Sequence, residues 1–156
     1  MKHNINKKVV SSFDDEWTIY DQSKMSIEES NDAFRDYSKI FPCNVLDSNA
    51  EGFDMGSGCE SWAQFVAPRV FKLNCIEPSS ATAISKKNLY NLSNIEFIRC
   101  SITGPFINFR SQSFDYCIEV LHHIPDTVRG IKSCVKLLKP SAPFLLYIYY
   151  NFENQS

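Results

Sequence analysis

Gly52-Phe53-Asp54-Met55-Gly56-Ser57-Gly58-Cys59-Glu60 decides the fold. A short strand-like stretch runs into Gly-x-Gly, and residues 61–67 then read as a helix that stops at Pro68. Glycines in such a turn let the backbone bend sharply and come close to a ligand, while the helix start that follows offers unpaired N–H groups to an anion. A Gly-x-Gly pair on its own is a common turn element. Its place between a strand and a helix gives it weight.

Outward from that turn, strands and helices alternate. Residues 70–76 read as a second strand, closed by Glu77-Pro78. Ser79 or Ser80 caps a helix reaching about Leu89, and residues 95–99 form a third strand before a loop over 101–111. A fourth strand over 114–120, a helix over 126–138 and a fifth strand over 143–150 complete the series. Towards the amino end, Ser26 with Glu29 three residues on forms a capping-box signature. That helix, over 26–40, has to end before Pro42. Strands alternating with helices at this spacing predict β-α-β units and an α/β, Rossmann-like doubly wound sheet, mainly parallel, with helices on both faces. Ligands then belong at the carboxyl ends of the strands.

Composition narrows the function classes. With 156 residues, 44% hydrophobic and 22% charged, the chain suits one globular core. A net charge of -2 supplies no basic field for nucleic acid. No apolar run is long enough to span a bilayer, and no signal-peptide pattern opens the chain. None of the six cysteines lies in a C-x-x-C pair, so no metal site is expected and the chain reads as a reduced, cytoplasmic protein.

Glu77 lies at the tip of the second strand, where a carboxylate can accept the two hydroxyls of an adenosine ribose beside the glycine turn. It equally suits a helix start as a carboxylate complementing the dipole. The third element is Ile118-Glu119-Val120-Leu121-His122-His123-Ile124-Pro125-Asp126, at the end of strand four.

Asp54 with the glycine turn, Glu77-Pro78 and the Val120-to-Asp126 run together resemble motifs of class I S-adenosylmethionine (SAM)-dependent methyltransferases. The likeness is to the type 11 group, similar to ubiquinone-biosynthesis C-methyltransferases, and Leu137-Leu138-Lys139-Pro140 resembles that group's L-K-P-G-G entry to strand five. The resemblance covers roughly residues 52–150. It implies strand order 3-2-1-4-5 and division into an N-terminal segment (1–45) and a SAM-binding domain (46–156); members of the family normally continue past strand five, and here the sheet is expected to break off after it. It also implies the cofactor SAM, a small-molecule acceptor and methyl transfer. Gly56, Ser57 and Gly58 would wrap the methionine part, with Asp54 holding the turn or reaching the cofactor's amino group through water. Glu77, followed by Pro78, would take the ribose; Ser101 and Ile102 would flank adenine; Glu119 and Val120 would line the tip of strand four. His122 and His123 are the candidate catalytic bases, although in this family such histidines are often structural. The aromatics of the N-terminal segment, Trp17, Tyr20, Phe34 and Tyr37, suit either a lid over the cofactor or plain core packing.

The sequence also departs from the family. Glu60 replaces the usual third glycine, and at about 6 Å from the carboxylate of SAM it would oppose binding by about 3 kcal/mol. Ser101 and Thr103 stand where an acidic residue is common. Ser113 takes the place of the customary aspartate, which leaves Asp115 inside a strand expected to be buried. These features carry an alternative expectation, a degenerate, non-catalytic methyltransferase fold that binds SAM weakly or acts as an interaction module. Strand five, left as an apolar edge, would favour self-association. A dinucleotide-binding domain fits less well, because the last glycine of G-x-G-x-x-G is missing.

Overall fold

The computed structural model describes residues 26–58, 62–101, 109–120 and 124–148, with only the backbone of Glu119 and Val120. Five strands form one parallel sheet: β1 (Glu51–Met55), β2 (Lys72–Ile76), β3 (Ile95–Ile98), β4 (Tyr116–Val120) and β5 (Phe144–Tyr147). Their spatial order is β3-β2-β1-β4-β5, as the family resemblance implies. β1 is therefore central, and the direction of winding reverses between β1 and β4. That reversal makes their carboxyl ends the crevice where doubly wound sheets bind ligands.

The helices are α1 (Ile27–Tyr37), α2 (Ala63–Val66), α3 (Ala81–Asn88) and α4 (Thr127–Leu137). In α1 the predicted capping box is present: the backbone N–H of Glu29 donates to Ser26 Oγ at 3.2 Å, and that of Ser26 donates to Glu29 Oε2 at 2.9 Å. The helix ends at Tyr37, short of the predicted 40: Ser38 still donates its N–H to the carbonyl of Phe34 at 2.8 Å, but the N–H of Lys39 turns to the carbonyl of Asp36 at 3.4 Å. α2 ends at Val66, before Pro68, as expected. A 3-10 turn over Ala67–Arg69 follows it, with the proline at a first-turn position where no N–H is needed. α4 starts where Asp126 Oδ1 accepts the N–H of Arg129 at 2.9 Å.

The sheet separates two apolar clusters. On one face Leu73, Cys75, Tyr116 and Ile118 pack with Phe34, Ala63, Val66 and Ala67, which brings α1 and α2 there; Leu89 and Leu92, just beyond α3, join them. On the other face Phe53, Met55, Ile76 and Cys117 meet Cys134 and Leu137 of α4. Helices thus cover both faces. Phe34 of α1 is buried and stacks on Phe65 at 5.1 Å, and Tyr37 stacks on Trp62 at 5.0 Å. These two aromatics belong to the core.

Asp115 departs from expectation. It lies one residue before β4 rather than inside it, half-buried at the amino end of the sheet. Its Oδ1 accepts Lys139 Nζ at 2.6 Å and its Oδ2 the N–H of Glu51 at 3.1 Å, so the carboxylate is partnered. Ser113 has a local task, its hydroxyl donating to the carbonyl of Arg110 at 2.7 Å.

Candidate functional site

The glycine turn leaves β1 at the centre of the sheet. Gly56 has φ 76° and Gly58 φ 59°, a left-handed conformation that glycine adopts without the strain a Cβ would add. The N–H of Gly56 extends the ladder to the carbonyl of Ile76 at 2.8 Å, and Ser85 Oγ in α3 donates to the carbonyl of Gly58 at 2.8 Å. The turn is thus clamped on both sides. Ser57, between the two glycines, is buried.

Glu77 follows β2 and is 8% exposed. Its Oε2 accepts the N–H of Gly58 at 3.1 Å and its Oε1 that of Ser79 at 2.8 Å. The carboxylate therefore touches the glycine turn directly, as the spacing in the sequence suggested. Through Ser79 it also serves the approach to α3, as the helix-start reading expects. Two accepted bonds leave a carboxylate about two further lone-pair sites for hydroxyl donors.

Asp54 is 4% exposed on β1. Burial raises its pKa first and the neighbouring Glu77 charge second, together pushing it up to about 7. An aspartate near half-protonation at neutral pH is a feature of sites more than of frameworks. Pro78 is half-buried and its carbonyl accepts Arg99 Nε at 3.4 Å; Ser101, also half-buried, follows the end of β3. Glu119 is registered against Met55 and Val120 against Tyr147, which sets their backbone at the carboxyl ends of β1 and β5. Ile102, His122, His123 and Glu60 lie outside the described residues. Asp54, Gly56, Ser57, Gly58 and Glu77 are hence brought together at one end of the sheet.

Two contributors escaped the sequence reading. Ser85 reveals itself through its bond to Gly58 and Tyr116 through its position over Gly52, where a Cβ would overlap the ring Cζ and both Cε carbons. Single-sequence periodicity marks Tyr116 only as one more apolar residue of a strand. Among the described residues, no group of three His, Cys, Asp or Glu could hold a metal ion, and no helix is long and apolar enough to cross a membrane.

A family model described as a methyltransferase domain matches residues 53–146, from β1 into β5. The chain belongs to the methyltransferase domain family. The match begins on Phe53, so the glycine turn and Glu77 both fall inside the domain. The chain is 27% identical to a ubiquinone biosynthesis O-methyltransferase of Neisseria meningitidis, over 89% of this chain and 60% of that protein. It therefore spans less than two thirds of this curated relative. Among solved structures, the DhpI-SAM-HEP complex is similar with a TM-score of 0.69 at 14% identity, covering 98% of this chain and 70% of that one. SMU.1697c from Streptococcus mutans, solved in complex with SAH (S-adenosylhomocysteine), is similar with a TM-score of 0.62 at 19% identity, covering 74% and 72%. At such identities these structures establish the fold of the methyltransferase domain.

Proposed function

We propose that this chain binds S-adenosylmethionine at the carboxyl ends of β1, β2 and β4, and that it takes part in methyl transfer to a small-molecule acceptor. One observation carries the reading. The left-handed glycine turn after β1 is bonded, through the N–H of Gly58, to the buried carboxylate of Glu77 after β2. A cofactor with an adenosine at one end and an amino acid at the other needs such a pair, a hydroxyl acceptor beside a close-approach turn.

When bound, the cofactor supplies a methyl group on a sulfonium, an excellent leaving group. The protein then has to orient the partners and, for a hydroxyl or acidic C–H acceptor, remove a proton. Glu77 has spare acceptor capacity for the ribose, with Pro78 shaping the strand exit. Gly56, Ser57 and Gly58 border the methionine moiety, with Asp54 facing its ammonium. Ser101 and Ile102 flank adenine, and Glu119 and Val120 line the tip of β4. His122 or His123 is assigned the proton-removing role on sequence position alone. Residues 1–45 and 46–156 are assigned to a lid-bearing segment and the binding domain. Phe34 and Tyr37 pack in the core, and Trp17 and Tyr20, the other aromatics of the candidate lid segment, lie outside the described residues. Cytoplasmic location, and self-association through β5, where Tyr147 and Ile148 are exposed, complete the proposal. The degenerate, non-catalytic reading loses one support, because the Ser113–Asp115 departure lies at the amino end of the sheet, away from the crevice.

The test is calorimetry with S-adenosylhomocysteine. Glu77→Ala should weaken binding by about 1.5–3 kcal/mol, the scale of hydrogen bonds to a charged group. Unchanged affinity would remove the ribose assignment.

A further inference from the structure

Tyr116 carries a hydroxyl that is fully buried and makes no hydrogen bond. Buried hydroxyls are nearly always satisfied, and leaving one unpaired costs about 1–3 kcal/mol. The position is enforced from below: Tyr116 pairs with Gly52 in the β1–β4 register, and its ring occupies the space a side chain at Gly52 would fill. Asp54 lies two residues further along β1 and is buried in turn. Burial first, and the charge of Asp54 second, hold the phenol protonated far above its ordinary range. Cys75, Asp115 and Glu51 act in the same direction, and Glu77 is the charge that faces Asp54 from β2. Every charged group named here is negative or neutral. A cation entering the crevice would therefore find an aspartate that needs stabilising as an anion and a phenol donor without an acceptor.

We propose that Tyr116 is a positioning residue for the cofactor, its hydroxyl donating to ionised Asp54 when the ammonium of the amino-acid moiety arrives. The inference rests on the SAM-binding reading. It adds to that reading a residue outside the glycine turn and strand tips, and a proton: below neutral pH, binding releases the proton that Asp54 carries in the free protein. Tyr116 touches no reacting atom; it acts through Asp54.

The test uses the full chain and S-adenosylhomocysteine as the probe, with wild type, Tyr116→Phe, Asp54→Asn, the double variant and Glu77→Ala. Phenylalanine keeps the ring over Gly52 and deletes only the unsatisfied hydroxyl, so the ligand-free melting temperature should hold or rise. Calorimetric affinity should fall on the order of tenfold near pH 8, the lower end for a charged hydrogen bond. Below about pH 7 the wild type should release a proton on binding, and the gap should narrow only at lower pH, where Asp54 of the complex itself takes up a proton and needs no donor. In the Asp54→Asn background the same substitution should change affinity little, since the two residues act as a unit. Equal affinity and an identical pH profile for wild type and Tyr116→Phe, with Glu77→Ala weakened, would overturn the inference and leave the cofactor reading standing. An equal loss at every pH, accompanied by a lower melting temperature, would make Tyr116 merely structural. Wild type that fails to bind would remove both readings.

Discussion

The two ends of the same sheet treat their carboxylates in opposite ways. At the amino end Glu51, Glu96 and Asp115 all meet lysines: Lys72 Nζ lies 2.6 Å from Glu96 Oε2 and 3.7 Å from Glu51 Oε1, and Lys139 Nζ lies 2.6 Å from Asp115 Oδ1. The hydrogen bond to Glu96 is the main reason the pKa of Lys72 is raised. At the carboxyl end Asp54 and Glu77 are more deeply buried, and among the described residues no lysine or arginine forms an ion pair with either. Among the described residues, the hydrogen bonds that the Glu77 carboxylate accepts come from backbone N–H groups. The framework end neutralises its charges internally, whereas among the described residues no lysine or arginine is paired with the two carboxylates of the crevice. The contrast is therefore a statement about function, written in electrostatics.

Removing the uncompensated charge should give the largest effect. The folded-state pKa of Asp54 is raised to about 7 from 3.8. A raised carboxylate pKa means the folded state holds its proton while the unfolded chain has lost it. Stability is then full below about pH 4, falls as pH rises towards 7, and levels off above. The loss amounts to roughly 4 kcal/mol as an upper figure. Asp54→Asn, which imitates the protonated acid, should therefore stabilise the ligand-free protein at about pH 8 by roughly 1–4 kcal/mol, with a smaller gain at about pH 5. The same variant should lose affinity for S-adenosylhomocysteine. Denaturant melts at the two pH values check the sign, and a destabilised variant at pH 8 would break the contrast between the two ends.

Next in size is Gly52→Ala, which probes the seat of Tyr116. The added methyl would overlap a ring that is buried on every side, and overpacking of this kind costs about 1–3 kcal/mol. If Gly52→Ala cost nothing further in a Tyr116→Ala background, the ring would be the sole obstacle. The same cost in both backgrounds would place the strain in the backbone.

Why some of this could be read from the sequence and some could not follows from where the information lies. Gly56-Ser57-Gly58 and Glu77 are strand-end punctuation, each beside the element it terminates, so their meeting at one edge follows once the strands are parallel and adjacent. Strand order was accessible through the family resemblance. Tyr116 was not accessible, because its importance arises from the register with Gly52, distant in sequence and separated from it by three strand connections. Asp115 was misjudged by one strand position, and in a pleated strand one position decides between burial inside and an ion pair at the rim. α1 ends three residues short because the N–H of Lys39 turns to the carbonyl of Asp36, a local closure that proline spacing does not reveal.

The smallest expected effect comes from the amino end. Lys139 and Asp115 make a close pair, but their side chains are 47% and 30% exposed, so water and salt screen the attraction. Asp115 also keeps the N–H of Glu51 when the lysine is gone, and so is not left bare. Lys139→Ala should cost less than about 1 kcal/mol at low ionic strength, and less still in about 1 M salt. Affinity for S-adenosylhomocysteine should not change, since the pair lies at the opposite end of β4 from the crevice. Denaturant melts at two salt concentrations, paired with calorimetry, test both halves. A salt-insensitive loss of several kcal/mol would show that the amino end depends on its ion pairs as strongly as the crevice depends on an incoming cation. The opposition between paired framework charges and waiting site charges would then have to be given up.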